Sequence, residues 1–285
     1  MSTTTPASTA LPPAPWKSLF HKHISEMKPP QFVLSTVTPA PPNSNSPTPY
    51  LPRARYCIFR GFWAELPENK DNEAERNPRV YESDCPSFTT DVRMEKVKDV
   101  FMSSAGHADS EAQIQGSGGG GPVEAVWWTE ETGTQWRLKG RAFVVGPDVE
   151  EGNGEEGNGE GRSGVRTLKS EVGKRMRVVD ESKEQEWSWA RELEGNFGNM
   201  SPGMRGSFKA PPPGQPVSKP YDKDNLELGS KVRDLHDEAA RKNFRVVIIV
   251  PDIVEQTDIS NPNKARRHKY TYGADGQWTI EELWP

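Results

Sequence analysis

Two cysteines, Cys57 and Cys85, are all that 285 residues contain, which excludes a disulfide framework, and neither sits at metal-ligand spacing. A reducing, cytoplasmic compartment is expected and no metal site. No stretch approaches 18 apolar residues, so no membrane-spanning helix is expected. Residues 1–13 lack a basic start and an apolar core, which excludes a secretory signal and predicts a disordered leader. The five histidines are scattered, and the Gly-x-Ser-x-Gly and His-Glu-x-x-His patterns of serine and zinc hydrolases are missing. A basic excess is missing too. The formal net charge is −5, and the tract Asp148–Glu160 carries acids without a single base. The remainder is close to neutral, which argues against nucleic acid as a partner.

What is present is 33% hydrophobic residues, nine tryptophans, 26 prolines and 25 glycines. That mixture predicts one good core with much connecting loop. A single domain is expected over 14–285, with flexible insertions near 104–121, 147–164 and 211–240. Trp16, Leu19, Phe20, Ile24 and Met27 recur at helical spacing until Pro29 stops the run. His21 and His23 beside that stripe read as surface or boundary residues. Strands are predicted over 32–37, 55–60, 80–90, 123–129, 135–145, 244–250, 253–257, 270–272 and 277–284. Further helices are predicted after Asp91, where Met94, Val97 and Phe101 share a face, and over 184–197. Many short strands with few helices and no βαβ alternation give an α+β class with a mostly antiparallel β-barrel.

Gly152-Asn153-Gly154-Glu155-Glu156-Gly157 has the letters of a dinucleotide fingerprint, but its glutamates would repel a pyrophosphate and no apolar helix is evident after it. Gly116–Gly121 lacks the Lys-Ser/Thr of a phosphate loop and reads as a flexible insertion. The informative pattern is a set of cationic and polar residues at strand ends and a helix start. Arg55 and Arg60 flank an apolar strand, Thr89-Thr90 precede a helix whose first turn holds Lys96, and Gln135 and Arg137 lie on a third strand. Hydroxyls and cations around a helix N-terminus suit a phosphate, and amide donors on neighbouring strands suit a flat, hydrogen-bonding ring.

These segments resemble the FMN-binding split barrels of the pyridoxamine 5'-phosphate oxidase type. Arg55-Tyr56-Cys57-Ile58-Phe59-Arg60-Gly61-Phe62 is similar to that family's first FMN segment, and Phe88-Thr89-Thr90-Asp91-Val92-Arg93-Met94-Glu95-Lys96 to its second. Thr134-Gln135-Trp136-Arg137-Leu138-Lys139-Gly140 is similar to the third. Met200–Phe208 resembles a helical segment of the branch characterised only as FMN-binding, and Trp278–Pro285 the family's Trp-x-Ile-x-x-Leu-x-Pro terminus. The resemblance implies a split β-barrel homodimer with FMN at the subunit interface. Arg55, Arg60 and Lys96 would hold the phosphate, Thr89 and Thr90 the ribityl chain or ring, and Gln135, with Arg137 on its strand, the flavin edge. Arg205, Ser207 and the cluster Arg266-Arg267-His268 would reach the cofactor or substrate from the other subunit.

Two departures separate cofactor from reaction. Met94 and Glu95 stand where the family has Ser and Arg, and Thr257 stands where pyridoxamine-phosphate oxidases stack a Trp on the flavin. The expected function is therefore an FMN-binding flavoprotein, an oxidoreductase of unspecified substrate. A phosphorylated pyridine is a candidate substrate. The alternatives are a true pyridoxamine or pyridoxine 5'-phosphate oxidase and a non-catalytic flavin- or ligand-binding module.

Overall fold

A computed structural model describes residues 12–105, 114–153 and 160–285. The expected leader therefore lies almost wholly outside the described residues, as do the middle of the first insertion and part of the acidic tract. The strands are β1 (Gln31–Pro39), β2 (Tyr50–Phe62), β3 (Tyr81–Ser83), β4 (Pro86–Asp91), β5 (Gly118–Thr129), β6 (Thr134–Val145), β7 (Met176–Val178), β8 (Phe244–Asp258), β9 (Arg266–Tyr272) and β10 (Trp278–Leu283). The helices are α1 (Lys17–Glu26), α2 (Glu95–Met102), α3 (Glu160–Gly173), α4 (Trp189–Gly198), α5 (Pro202–Gly206) and α6 (Glu238–Asn243). The class is α+β, as the composition predicts.

Eight strands pair antiparallel in the order β10-β9-β8-β4-β2-β1-β5-β6, and β6 pairs again with β8, so six strands follow one another in a ring. Period-two alternation decides what fills it. Phe32 and Leu34 of β1, Cys57 and Phe59 of β2, Phe88 of β4, Trp127 of β5, Trp136 and Leu138 of β6 and Val247 and Ile249 of β8 join one buried cluster inside the ring. The alternate residues of β6 and β8, including Phe143, Val145, Val246 and Ile248, form a second cluster outside it with Leu168, Leu193, Phe197 and Phe208.

Helix α1 belongs to the interior. Phe20 is fully buried and meets Phe59, Phe62, Trp127 and Trp136 edge-on at centroid distances of 5.1 to 6.1 Å. Burial of such a ring contributes about 1.5–3 kcal/mol. His23, expected at the surface or its boundary, is buried at 9% exposure, because its Nδ1 accepts from Trp136 Nε1 at 3.2 Å. Burial lowers its pKa, so the neutral ring suits this acceptor role.

The glycine run also departs from expectation. Gly118–Gly121 is not a free insertion but the first part of β5, paired with β6. Helix α2 lies so close that a Cβ on Gly121 would stand 2.2 Å from Ser103 Oγ and 2.5 Å from Val100 O. Small residues here let a helix press on a strand. Of the insertion expected near 147–164, the described residues form regular structure, a 3₁₀ segment at Pro147–Asn153 and α3 from Glu160, and 154–159 lie outside the described residues. The expected helix over 184–197 is divided into a 3₁₀ segment, Glu181–Glu186, and α4, because Ser188 caps α4 by accepting from Arg191 N. The helix after Asp91 starts later than expected: Met94 occupies the N-cap position, and Asp91 Oδ1 accepts from Arg93 N instead.

Candidate functional site

Strand alternation separates the predicted residues into two groups. Leu34 faces Arg55 and Phe32 faces Cys57 across β1 and β2, which puts Arg55 on the interior side, at the end covered by α2. There Arg55 Nη1 donates to Thr36 Oγ1 at 2.6 Å, and Nη2 donates to Asp99 Oδ2 at 3.0 Å. Asp99, 3% exposed on α2, also accepts from Thr36 Oγ1 at 2.6 Å. Thr90 lies on the same side. Lys96 Nζ donates to Thr90 Oγ1 at 3.2 Å and lies 2.7 Å from Met94 Sδ. Burial, reinforced by the Arg55 charge, lowers the Lys96 pKa from its ordinary value.

Arg60 faces outward. A bulge between Phe59 and Gly61 accompanies the turn of β2 around it, and its Nη2 reaches only Met204 Sδ of α5, at 3.7 Å. Its Nε is buried without a hydrogen-bond partner, and burial lowers its pKa. Arg205, the next residue after Met204, is 6% exposed; one of its Nη groups donates to Arg233 O at 3.1 Å, and its Nε is also unpartnered. Ser207 Oγ donates to Met204 O at 2.7 Å and is exposed. Neither Arg60 nor Lys96 has a carboxylate within salt-bridge distance among the described residues, whereas Arg55 has Asp99.

Gln135 and Arg137 also face outward, and the register places their neighbours. Tyr56, Val33, Val126, Arg137, Glu255 and Lys269 follow one another across six strands. Beside this row runs a second, Trp128, Gln135, Thr257 and Arg267. Glu255 is the hub of the charges: Arg267 Nη2 approaches to 2.6 Å, Arg137 Nη1 to 3.5 Å and Lys139 Nζ to 3.7 Å. Burial pushes the Glu255 pKa up, but the Arg267 hydrogen bond and the three cations bring it below its ordinary value. Arg137 Nε also donates to Glu124 Oε1 at 2.7 Å, so three cations share two carboxylates beside Gln135.

The C-terminal trio is thus not one cluster. Arg266 pairs with Glu282 on β10 and is exposed, Arg267 serves Glu255, and His268 opposes the buried Gln256 with its Nδ1 unpartnered. Asp99 and Glu255 were not anticipated, since nothing in the spacing distinguishes them from other acids. Trp128 had a signal: of two consecutive tryptophans on a half-buried strand, one must face outward.

Residues 13–146 match the family model described as pyridoxamine 5'-phosphate oxidase, FMN-binding domain. The match places the family's FMN-binding domain at residues 13–146 of the chain. Among solved structures, it is similar to a pyridoxamine 5'-phosphate oxidase-related, FMN binding protein from Nostoc punctiforme PCC 73102, at 18% identity and a TM-score of 0.51, over 95% of this chain and 98% of that one. It is also matched by PhzG from Burkholderia lata 383, in complex with tetrahydrophenazine-1-carboxylic acid, at 14% identity and a TM-score of 0.46, over 96% and 94% of the two chains. No curated protein matches.

The FMN-binding domain match supports FMN as the cofactor. The residues present suit it. A phosphate needs about two charge-assisted partners to offset its desolvation. Lys96 and Arg60 have no carboxylate at salt-bridge distance among the described residues, and Arg60, Arg205 and Arg267 each keep a buried Nε with no acceptor there. Buried donors without acceptors are uncommon in folded proteins, and an anionic ligand supplies what they lack.

Proposed function

We propose that this protein is an FMN-dependent oxidoreductase that works as a split-barrel homodimer on an anionic small molecule. The observation that carries the reading is that Lys96 of α2, bonded to Thr90 of β4, and Arg60 of β2, the strand paired with β4, have no carboxylate at salt-bridge distance among the described residues. Lys96 and Arg55, with Thr90, would hold the phosphate at the α2 end; Arg60, with Arg205 and Ser207 of α5, would offer a separate anion site on the outer face. Asp99 and Thr36 hold Arg55 in one orientation. Gln135, flanked by Trp128 and Arg137, would donate to the polar edge of the isoalloxazine ring.

The bound flavin supplies two-electron chemistry, accepting or delivering hydride. The chain contributes position and charge. Trp128 and Tyr56 are 47% and 72% exposed on the outer face beside Gln135, and large rings left in water there support a subunit contact that would exclude solvent from the flavin. Arg137, Lys139 and Arg267 exceed Glu255 and Glu124 by one charge, so the substrate half of the site favours an anion. This supports the phosphorylated pyridine as a substrate class, with Arg266 and His268 at its margin.

Purified protein tests the reading. It is expected to be yellow, to carry close to one FMN per chain, and to be bleached by a reductant and restored by oxygen. A colourless chain that cannot be loaded with FMN would overturn it. Peroxide release on addition of pyridoxine phosphate would identify the narrower oxidase activity; reduction by other donors without it would leave the substrate elsewhere. A flavin that no donor reduces would indicate a binding module instead.

A further inference from the structure

A second cavity, of about 370 Å³, lies between the segment following β2 and the first turn of α4. None of the residues assigned to FMN lines it. Leu66 and Pro78 border it together with Glu65, Glu68, Arg76 and Glu192. Its size falls within the range of small-molecule sites, roughly 300–1,000 Å³.

Glu192 gives the cavity its chemistry. It is 3% exposed, the most buried of the lining residues, and its carboxylate is positioned by design of the local hydrogen bonds: Asn77 Nδ2 donates to Oε2 at 2.9 Å and also to Ser188 O at 2.9 Å, while Ser188 N donates to Asn77 Oδ1 at 3.0 Å. That clasp ties the loop to the N-cap of α4 and uses one carboxylate oxygen. The other, Oε1, is buried with no partner.

The neighbouring charges do not supply the missing donor. Arg76 donates instead to the carbonyls of Leu66 and Pro67. Glu65 is held by Lys17 Nζ at 2.5 Å and by Ser83 N at 2.9 Å. Arg79 is exposed and pairs with Glu82 at 2.5 Å. Glu68 adds a further carboxylate at the rim, exposed and in no ion pair among the described residues. A buried carboxylate oxygen is unfavourable without a donor, and a cationic donor satisfies both the hydrogen bond and the charge.

We propose that this cavity binds a small primary amine, whose ammonium group donates to Glu192 Oε1 while its carbons lie against Leu66 and Pro78. The site is separate from the flavin and does not depend on the assignment of the reaction. A hydroxyl or carboxylate in place of the ammonium loses the charge match, so the cavity discriminates by charge as well as by size.

The test is calorimetric titration of the full chain, with its flavin content recorded in parallel, using n-butylammonium chloride, butan-1-ol and sodium butyrate. Saturable binding is expected for the amine, with the alcohol and the acid about tenfold weaker or worse, the loss of one charge-assisted bond. Glu192→Gln should weaken the amine by about tenfold or more at unchanged flavin content. Glu68→Lys, a surface change that leaves the clasp intact, should weaken it several-fold and decides the matter if the first variant folds poorly. Absence of saturable amine binding, equal binding of butan-1-ol, or an affinity unaffected by both substitutions would overturn the proposal.

Discussion

Lys96 shows how a single side chain can be predisposed for an anion. Its ammonium is half-buried, has Thr90 Oγ1 and Met94 Sδ as its hydrogen-bond partners among the described residues, and is lowered in pKa chiefly by its burial. Lys96→Met is therefore expected to weaken FMN by about 10- to 100-fold, since a charge-assisted bond is worth roughly 1.5–3 kcal/mol; quenching of flavin fluorescence on titration of apoprotein measures it. The pH dependence has a definite sign. FMN phosphate selects the protonated amine, whose pKa in the folded chain is depressed, so affinity should fall with rising pH and begin falling below 10.5, the ordinary lysine value. Lys96→Arg should move that fall to higher pH. Glu192 behaves oppositely: burial raises its pKa, so the protonated form is favoured by folding, and this stabilisation is complete below the unfolded value and lost as pH rises through the folded one. Glu192→Gln should thus melt higher than the parent at neutral pH and match it near pH 4, about the unfolded carboxyl range, in parallel thermal scans. Of these residues, Lys96 was legible from its place in a helix start. Glu192 was one glutamate among many, because its burial and its partner Asn77 are joined only by folding.

At the scale of elements, α2 and β5 show what a sequence pattern leaves open. A run of glycine has no side chains to signal a strand and resembles a linker; only the helix packed against it explains why side chains are excluded. Gly121→Ala should destabilise the fold by about 1–3 kcal/mol, because a methyl group at 2.2 Å from Ser103 Oγ and 2.5 Å from Val100 O forces backbone to move. Urea unfolding followed by tryptophan fluorescence would register the loss, and an unchanged midpoint would show that α2 yields freely. Helix α1 was legible from periodicity because Trp16, Phe20 and Ile24 share one stripe, and all three are buried. Its buried His23 was not, since a histidine next to an apolar stripe reveals neither Trp136 nor the hydrogen bond that draws it in.

For the whole molecule, the outer face matters most. Tyr56 and Trp128 stand in adjoining rows of the ring with Val33 and Val126 between them, flanked by Gln135 and Arg137. A surface of that kind, apolar at its centre and charged beside it, has the anatomy of a subunit interface. On the proposed homodimer, Tyr56→Glu combined with Trp128→Glu should convert dimer to monomer in light scattering and lower flavin content together, while leaving the interior, and hence the far-ultraviolet dichroism, intact. Retention of the parent's mass by the double variant would remove this face from the assembly.

The sequence by itself determined the elements: alternation and helical spacing are local properties, set by the two periods at which side chains recur along strands and helices. It also carried the superfamily, because three short segments keep their order and their charged ends. Only the tertiary structure decided which of those charges meet. Arg55 and Arg60, five residues apart on one strand, face opposite sides of the ring; Asp99 claims the first, and the second is left with a buried, unbonded nitrogen. The physical reason is that a charge's role depends on its partners and its distance from water, and both come from strands and helices that are far apart in the chain.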